Sequence, residues 1–368
     1  MSPYQIALTM IPKLGNKGVR KLAELYPDVE DIFKLSNEQL KELFGNHKSL
    51  INAIEQRTTL GEAERAVREL EQKHIKTLFF NEKDYPERMN RPGCEDCPAL
   101  LYMIGECDLN AEHSVAVVGT RKATVYGRET TAKVIGQMAS DRVLIVSGLA
   151  YGIDTEAHTA AVASGLPTVG VLGHGLDRIY PEQNRDLARR MLASGGALVT
   201  EFPLGTAISS RNFPARNRII AAMSDATVVV EAAEHGGALI TANMAIGYNR
   251  EVFAVPGYLD APYSVGCNTL IAHNKASLLR NAGDIYYQMG WDGLSTPQSS
   301  VGEQQALFVE LSPDEQRIAD LLLENREMTL DEIAAQSGFP MHKAASTVFE
   351  MESRNIIRCL PGKIYKAI

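Results

Sequence analysis

Short uninterrupted apolar runs recur through the middle of the chain: Val115–Val118, Val143–Ser147, Thr168–Leu172, Ala197–Thr200, Thr227–Glu231 and Val252–Val255. Each is too short for a helix, and none alternates polar with apolar. Runs of this kind, bounded by turn residues, read as strands buried on both faces. Stretches with helical spacing separate them. The alternation predicts an α/β fold with a parallel sheet covered by helices on both sides. Such sheets bind ligands beyond the carboxyl ends of their strands, so the loops after each run are the informative ones.

The two ends of the chain have a different texture. Residues 1–60 read as short helices: Ile6, Leu8, Ile11 and Leu14 precede Gly15-Asn16-Lys17-Gly18, and Val19, Leu22 and Leu25 follow at helical spacing. Ser36-Asn37-Glu38 starts another helix that runs through Leu43 and is ended by Gly45. A longer helix is predicted from Leu60 to Lys73 and a short strand over Leu78–Phe80, with turns at Asp84-Tyr85-Pro86 and Arg91-Pro92-Gly93. Residues 292–310, rich in Ser, Gln and Gly, read as a linker. Beyond it, one helix follows Leu311-Ser312-Pro313. A second starts at Thr329 and ends at Gly338, and a third runs from about His342 to Ser353. Ile356–Cys359, Pro361-Gly362 and Lys363–Lys366 then form a β hairpin, which completes a winged-helix pattern. The expected organisation is a small helical domain over 1–75, the α/β core over 76–291, the linker, and a winged helix over 311–368.

The chain has 368 residues, which fits about two or three domains. Its 45% hydrophobic and 22% charged content is ordinary for a soluble globular protein. No apolar run approaches the ~18–20 residues of a membrane span. No charged start followed by an apolar stretch marks a secretory signal, and five Cys do not make a disulfide scaffold. The expectation is a cytoplasmic protein without a membrane partner. Net charge is −8, which taken alone argues against nucleic acid. Divided by region, the picture changes. Residues 1–110 carry 15 basic and 18 acidic side chains, residues 292–310 carry 3 acidic and no basic, and residues 311–368 carry 7 and 9. Residues 111–291 are balanced at 15 and 15, and their bases are 12 Arg and only 3 Lys. Arg is the residue suited to forked contact with phosphate and to stacking on bases.

Several loops carry candidate chemistry. Gly119-Thr120-Arg121 follows the first run, where a Gly at a strand-to-helix turn lets backbone amides approach an anion and Arg121 can close over it. Neither the dinucleotide fingerprint nor the Walker A spacing is present. Ser147-Gly148-Leu149-Ala150 follows the second run as another candidate phosphate cradle, with Asp154 as a cap and His158 one turn on; a plain helix start explains that pair equally. Gly173-His174 follows the third. After the fourth, Phe213-Pro214-Ala215-Arg216-Asn217-Arg218 is the densest polar constellation in the chain: two Arg and an Asn beside a ring that can stack, the combination that binds single strands. Gly236-Gly237 makes a further Gly-rich turn after Glu231. Catalytic motifs are scarce. Cys94 and Cys97 lack a second ligand pair for zinc, and no other metal or cofactor motif occurs. Glu201 and Glu231 sit after strands as candidate general bases, the basis of an alternative reading as a nucleotide or nucleoside-phosphate hydrolase.

With these loops in view, the chain resembles the bacterial DNA-processing protein A family (DprA, also called Smf). The matching segments are Val115–Arg121, Ser147–Asp154, Val171–Asn184, Thr200–Gly205, Phe213–Ser224, Val228–Ala232, Ala238–Ala242 and Val252–Gly257. The Leu14–Gly18 region is similar to the helix-hairpin-helix or sterile-alpha-motif-like domain of many members, and many also carry a C-terminal winged helix. The resemblance implies a Rossmann-like, mostly parallel core that commonly forms a homodimer. It implies a non-enzymatic protein that binds single-stranded DNA in natural transformation and recombination and helps load the recombinase RecA onto it. By motif, the family's basic pocket falls on Arg121, Ser147, Gly148, Arg216 and Arg218. With the loop residues above, the expected DNA-binding set is Gly119, Thr120, Arg121, Ser147, Gly148, Leu149, Ala150, Gly173, His174, Phe213, Arg216, Asn217 and Arg218. Two segments depart from the family pattern: His235–Ala242 lacks the usual Arg and Ser, and Asn274-Lys275-Ala276 replaces a Gly-Ala.

Overall fold

The apolar runs become strands because successive side chains enter two different cores. Val115 and Val117 pack with helices on one face of the sheet, while Ala116 and Val118 join the core on the other. The computed structural model describes residues 2–291, 311–325, 328–354, 356–360 and 364–367. The chain forms two compact units, Met1–Pro297 and Gln298–Ile368.

In chain order, the first unit begins with six helices: α1 (Pro3–Thr9), α2 (Gly15–Leu25), α3 (Val29–Ile32), α4 (Asn37–Phe44), α5 (Lys48–Glu55) and α6 (Leu60–Gln72). Ser36 caps α4 through a capping box with Gln39, as the sequence predicts. The Gly15–Gly18 segment forms the first turn of α2. Strands β1 (Lys76–Phe79), β2 (Leu100–Gly105) and β3 (Ser114–Val118) follow. Then come α7 (Val125–Gly136), β4 (Leu144–Ser147), α8 (Ile153–Ala163), β5 (Thr168–Val171), α9 (Arg185–Ala193) and β6 (Ala197–Thr200). The unit ends with α10 (Asn212–Ala222), β7 (Ala226–Val229), α11 (Gly237–Gly247), β8 (Glu251–Ala254), α12 (Val265–Ala272), β9 (Ser277–Leu278) and α13 (Ala282–Met289).

The strands form one sheet in the order β1-β2-β6-β5-β4-β3-β7-β8-β9. From β6 to β9 all pairs are parallel, whereas β1 and β2 add an antiparallel edge against β6. This is a Rossmann-like α/β core with a mostly parallel sheet. The sequence reading has no strand at β2. Leu100–Met103 is buried throughout but pairs antiparallel with β1 and β6, outside the strand–helix alternation that marks the other runs. Strand order reverses between β3 and β7, which makes the loops after those two strands the topological switch point.

The N-terminal helices and the sheet share one continuous apolar core, from Ile6 and Leu40 through Phe79 to Val118 and Val229. Arg20 of α2 also ties them together. It donates to the carbonyls of Cys97 (3.1 Å) and Pro98 (3.2 Å) and to Asn90 Oδ1 (2.7 Å), and lies 4.9 Å from the Phe80 ring centroid. A second buried guanidinium, Arg88, grips Asp225 with two bonds of 2.8 and 2.7 Å and also donates to the carbonyls of Ala111 and Glu112. Asp225 in turn accepts the Ser114 amide, so this pair fixes where β3 and β7 begin.

The second unit has its own core around Ile318, Leu322, Ile333, Val348 and Met351. Its elements are α14 (Pro313–Asn325), β10 (Met328–Thr329), α15 (Leu330–Ser337), α16 (Met341–Ser353), β11 (Ile357–Leu360) and β12 (Ile364–Ala367), with strand order β10-β12-β11. The segment 292–310, read as a linker, lies outside the described residues, as does the turn at residues 361–363. No helix among the described residues is long and apolar enough to cross a membrane.

Breaking the Arg88–Asp225 pair leaves a buried charge without its partner. Asp225→Ala is expected to destabilise the first unit by about 3–5 kcal/mol. The single tryptophan, Trp291, stacks on His113 within this unit, so its fluorescence during urea unfolding reports that transition directly.

Candidate nucleic-acid interface

An open cleft of about 690 Å³ lies at the switch point, beyond the carboxyl ends of β3 and β7. One wall is the loop after β3, Gly119-Thr120-Arg121; the other is the segment from Ala232 to Thr241, which runs into the first turn of α11. Phe213, Arg216 and Asn217 of α10 form the floor with Ala150 and Asp154. A small side pocket continues to Gly148, Gly173, His174 and Tyr180.

Backbone bonds hold the first wall rigidly. The Thr120 amide donates to the Glu231 carbonyl (2.7 Å), and the Thr120 carbonyl accepts from the amide of Ile153 at the start of α8 (3.2 Å). Gly152 makes this approach possible: its φ is +79°, and a Cβ there would collide with the Thr120 carbonyl. The arrangement leaves the Arg121 side chain exposed on the rim. Its guanidinium sits 5.3 Å from the Phe213 ring centroid, and Tyr180 lies 5.9 Å from the same ring. Arg121 has no carboxylate partner among the described residues.

Arg216 is the opposite case. It is 3% exposed, and its Nη1 donates to the carbonyls of Gly148 and Val171, each at 2.5 Å. A Cβ on Gly148 would strike the guanidinium, so glycine is required there. Burial pulls the Arg216 pKa down to about 10, while the neighbouring Asp154 carboxylate opposes the fall. The group is therefore still charged at neutral pH. Its Nε has no hydrogen-bond partner among the described residues. Asp154 itself is held above the usual carboxylate range by burial, against the pull of Arg216 and of the Ala150 and Gly148 amides.

The expected site residues divide into two groups. Gly119, Thr120, Arg121, Ala150, Phe213, Arg216 and Asn217 line the cleft, and Gly148, Gly173 and His174 line the side pocket. Ser147, Leu149 and Arg218 line neither. The second cradle is corrected by its internal bonds. The Ser147 hydroxyl donates to the Val117 carbonyl (2.7 Å), and the Gly148 and Ala150 amides both donate to Asp154 Oδ2. Those donors are satisfied inside the protein. Leu149 turns inward at φ +53° and packs against α9. Arg218 is bound to Glu201 and to the Asp96 carbonyl, away from the opening. His174 is buried, donates to the Gly175 carbonyl (2.9 Å), and is held below the ordinary histidine pKa by burial.

The side chains of the candidate general bases are committed to other bonds. Glu231 accepts from the Thr124 amide (2.9 Å) and hydroxyl (2.6 Å), which anchors the start of α7. Glu201 is paired with Arg218. Neither lines the cleft. Cys94 and Cys97 are buried, Cys94 donating to the Arg88 carbonyl, and no cluster of three metal-ligating side chains exists among the described residues. Ile208, Ser210, His235 and Ile240 also line the opening, although their sequence context carries no site signal beyond the Gly236-Gly237 turn.

Residues 76–290 match the family model described as DNA recombination-mediator protein A. The chain belongs to this family. Protein Smf of Escherichia coli is 37% identical over 304 residues, which is 80% of this chain and 78% of that one. DNA processing protein A of Streptococcus pneumoniae has a crystal structure that covers 78% of this chain and 98% of its own, at 31% identity and a TM-score of 0.66. A structure of the Helicobacter pylori protein, reported for its single-stranded DNA binding mode, covers 59% of this chain and 96% of its own, at 27% identity and a TM-score of 0.51. The family-model match covers the Rossmann-like core, and the E. coli and S. pneumoniae relatives match beyond it.

Beneath the DprA cleft, His158 is fully buried. Burial holds its pKa down to about 3, with the Arg216 charge acting in the same direction. Thr168 Oγ1 donates to the Ile145 carbonyl, so it accepts from His158 Nδ1 (2.7 Å) and the ring is neutral. The unfolded ring takes up a proton near pH 6.5; the folded ring does so only near 3. Between these values the unfolded state binds more protons, so stability is complete above about 6.5 and falls as pH drops. His158→Gln is expected to show a flatter decline over this window in urea titrations followed by Trp291 fluorescence. Parallel curves for variant and wild type contradict the assignment.

Proposed function

We propose that this chain binds single-stranded DNA in the cleft at the β3/β7 switch point and acts there without catalysis, handing the strand to RecA recombinase in recombination and natural transformation. The observation that carries the reading is the unpaired rim guanidinium of Arg121 stacked on Phe213, above the buried charge of Arg216. A cation beside an exposed ring suits a phosphate and its neighbouring base. The first-turn amides of α11 add donors without intrahelical partners. The family membership and the H. pylori relative's reported single-strand binding support the same reading. The cleft's helices line a recess rather than project from it, which suits a single strand better than the major groove of a duplex. Within the expected site set, the cleft-lining group is assigned to DNA contact, and Ser147, Leu149 and Arg218 to support of its walls.

The second unit is proposed to be a winged helix with an accessory role, in protein contact or weak DNA binding. The bases of its third helix face are internally engaged: Lys343 pairs with Asp314 (2.8 Å) and lies over the Phe339 ring, and Arg354 pairs with Glu315 (2.5 Å). The protein is further proposed to act in the cytoplasm as a homodimer through the core.

Arg121→Ala is expected to weaken binding to oligo-dT by about 1–3 kcal/mol, the range for charged hydrogen bonds. Arg216→Lys tests the buried cation while keeping its charge. Fluorescence anisotropy at several salt concentrations is the measurement, and wild-type affinity should fall as salt rises. Unchanged affinity in Arg121→Ala, or equal competition by duplex DNA, refutes the single-strand site. Stimulation of RecA strand exchange by the wild type, lost in Arg121→Ala, tests the handover.

A further inference from the structure

Exposed apolar side chains of the first unit gather on the outer side of the cleft wall, on the loop after β8 and at the start of α7. Tyr258 is 87% exposed and Leu259 84% exposed, on the loop after β8. Val125 and Tyr126, at the start of α7, are 60% and 48% exposed. Adjacent large apolar groups left in water at this density mark a surface that something covers.

This loop is built to hold its tip still. Gly257 is bound at both its amide and its carbonyl by the Asn268 side chain (3.2 and 3.0 Å). At the other end, the Tyr263 carbonyl accepts from the Ala232 amide (2.7 Å), and the Ala232 carbonyl accepts from the Gly266 amide (2.9 Å). Tyr126 crosses to the same loop and donates its hydroxyl to the Pro256 carbonyl (2.7 Å). Ala232 also lines the cleft. The tyrosine loop is therefore the outer side of the cleft's own wall, and only the turn from Arg121 to Thr124 separates Tyr126 from the rim arginine. Lys122 is exposed on that turn, and Arg128, exposed on α7, uses one nitrogen on the Ala123 carbonyl. At the loop tip the single carboxylate, Asp260, disfavours phosphate, so rings rather than charge are what this surface offers.

We propose that Tyr258, flanked by Tyr126 and Leu259, is a second base-stacking station for a single strand that leaves the cleft over the Thr120–Lys122 turn. A single strand exposes the faces of its bases, and aromatic platforms bind them with little regard to sequence. The proposal rests on the cleft being a single-strand site and extends the path beyond it.

The test uses the full chain and oligo-dT probes of about 6 and about 20 nucleotides, short and long against single-fold footprints. Anisotropy is compared for the wild type, Tyr258→Ala, Tyr258→Trp and Arg121→Ala. Tyr258→Ala is expected to weaken the long probe about 5- to 100-fold, the effect of one lost stacking contact, and to leave the short probe unchanged. Tyr258→Trp restores long-probe affinity, and Arg121→Ala weakens both lengths. Equal long-probe affinity in the wild type and Tyr258→Ala overturns the proposal while leaving the cleft intact. A wild type that binds neither probe overturns the cleft reading and this proposal with it. Light scattering on the same variants provides a further check: if Tyr258→Ala changes the number of chains per particle, the patch joins two copies and the proposal is overturned.

Discussion

A guanidinium with almost no access to water organises the centre of this protein. Removing such a charge from water costs several kcal/mol, and only close, well-aimed partners offset the loss. Arg216 meets that demand by bonding the carbonyls that end β4 and β5 and by facing Asp154 at the start of α8. One side chain from α10 thereby ties together two strands and a second helix. The glycine at position 148 follows from fitting that group into the space, since a Cβ there would meet the guanidinium.

The same network explains why the cleft is asymmetric. Beneath it, Arg216 is bonded to two carbonyls and faces Asp154; on its rim, Arg121 lies over Phe213 with no carboxylate partner among the described residues. The buried cation gives the floor a positive bias that solvent screens little, and the rim cation can move to meet a ligand. An anion with a ring attached fits both. The carboxylates that might have supplied acid–base chemistry are fixed to other work, Glu231 anchoring α7 and Glu201 pairing with Arg218.

Charge follows the same division at the scale of the chain. The net −8 comes from the N-terminal region, the 292–310 segment and the C-terminal region, whereas residues 111–291 are balanced. A local pocket in an otherwise acidic molecule suits a strand threaded into place better than a surface that collects duplex non-specifically. In the second unit, Lys343 and Arg354 at its third helix are each engaged by a carboxylate.

The alternation of short apolar runs with helical stretches was sufficient to place six parallel strands within a residue or two of their ends, since a strand buried on both faces has no other way to look. The sequence alone also located the loops that border the cleft and the Phe213–Arg218 constellation. It did not reveal β2, which sits among turns and 3-10 structure rather than in the strand–helix alternation. Nor could it separate Arg121 from Arg216 and Arg218, or show that the Ser147–Ala150 donors are already satisfied. Those outcomes were decided by tertiary structure, because the partners lie far away in the chain: Arg216 bonds carbonyls 68 and 45 residues distant, and Ser147 one 30 residues distant. Local sequence sets which groups can bind an anion; only the folded chain determines which of them remain free to do so.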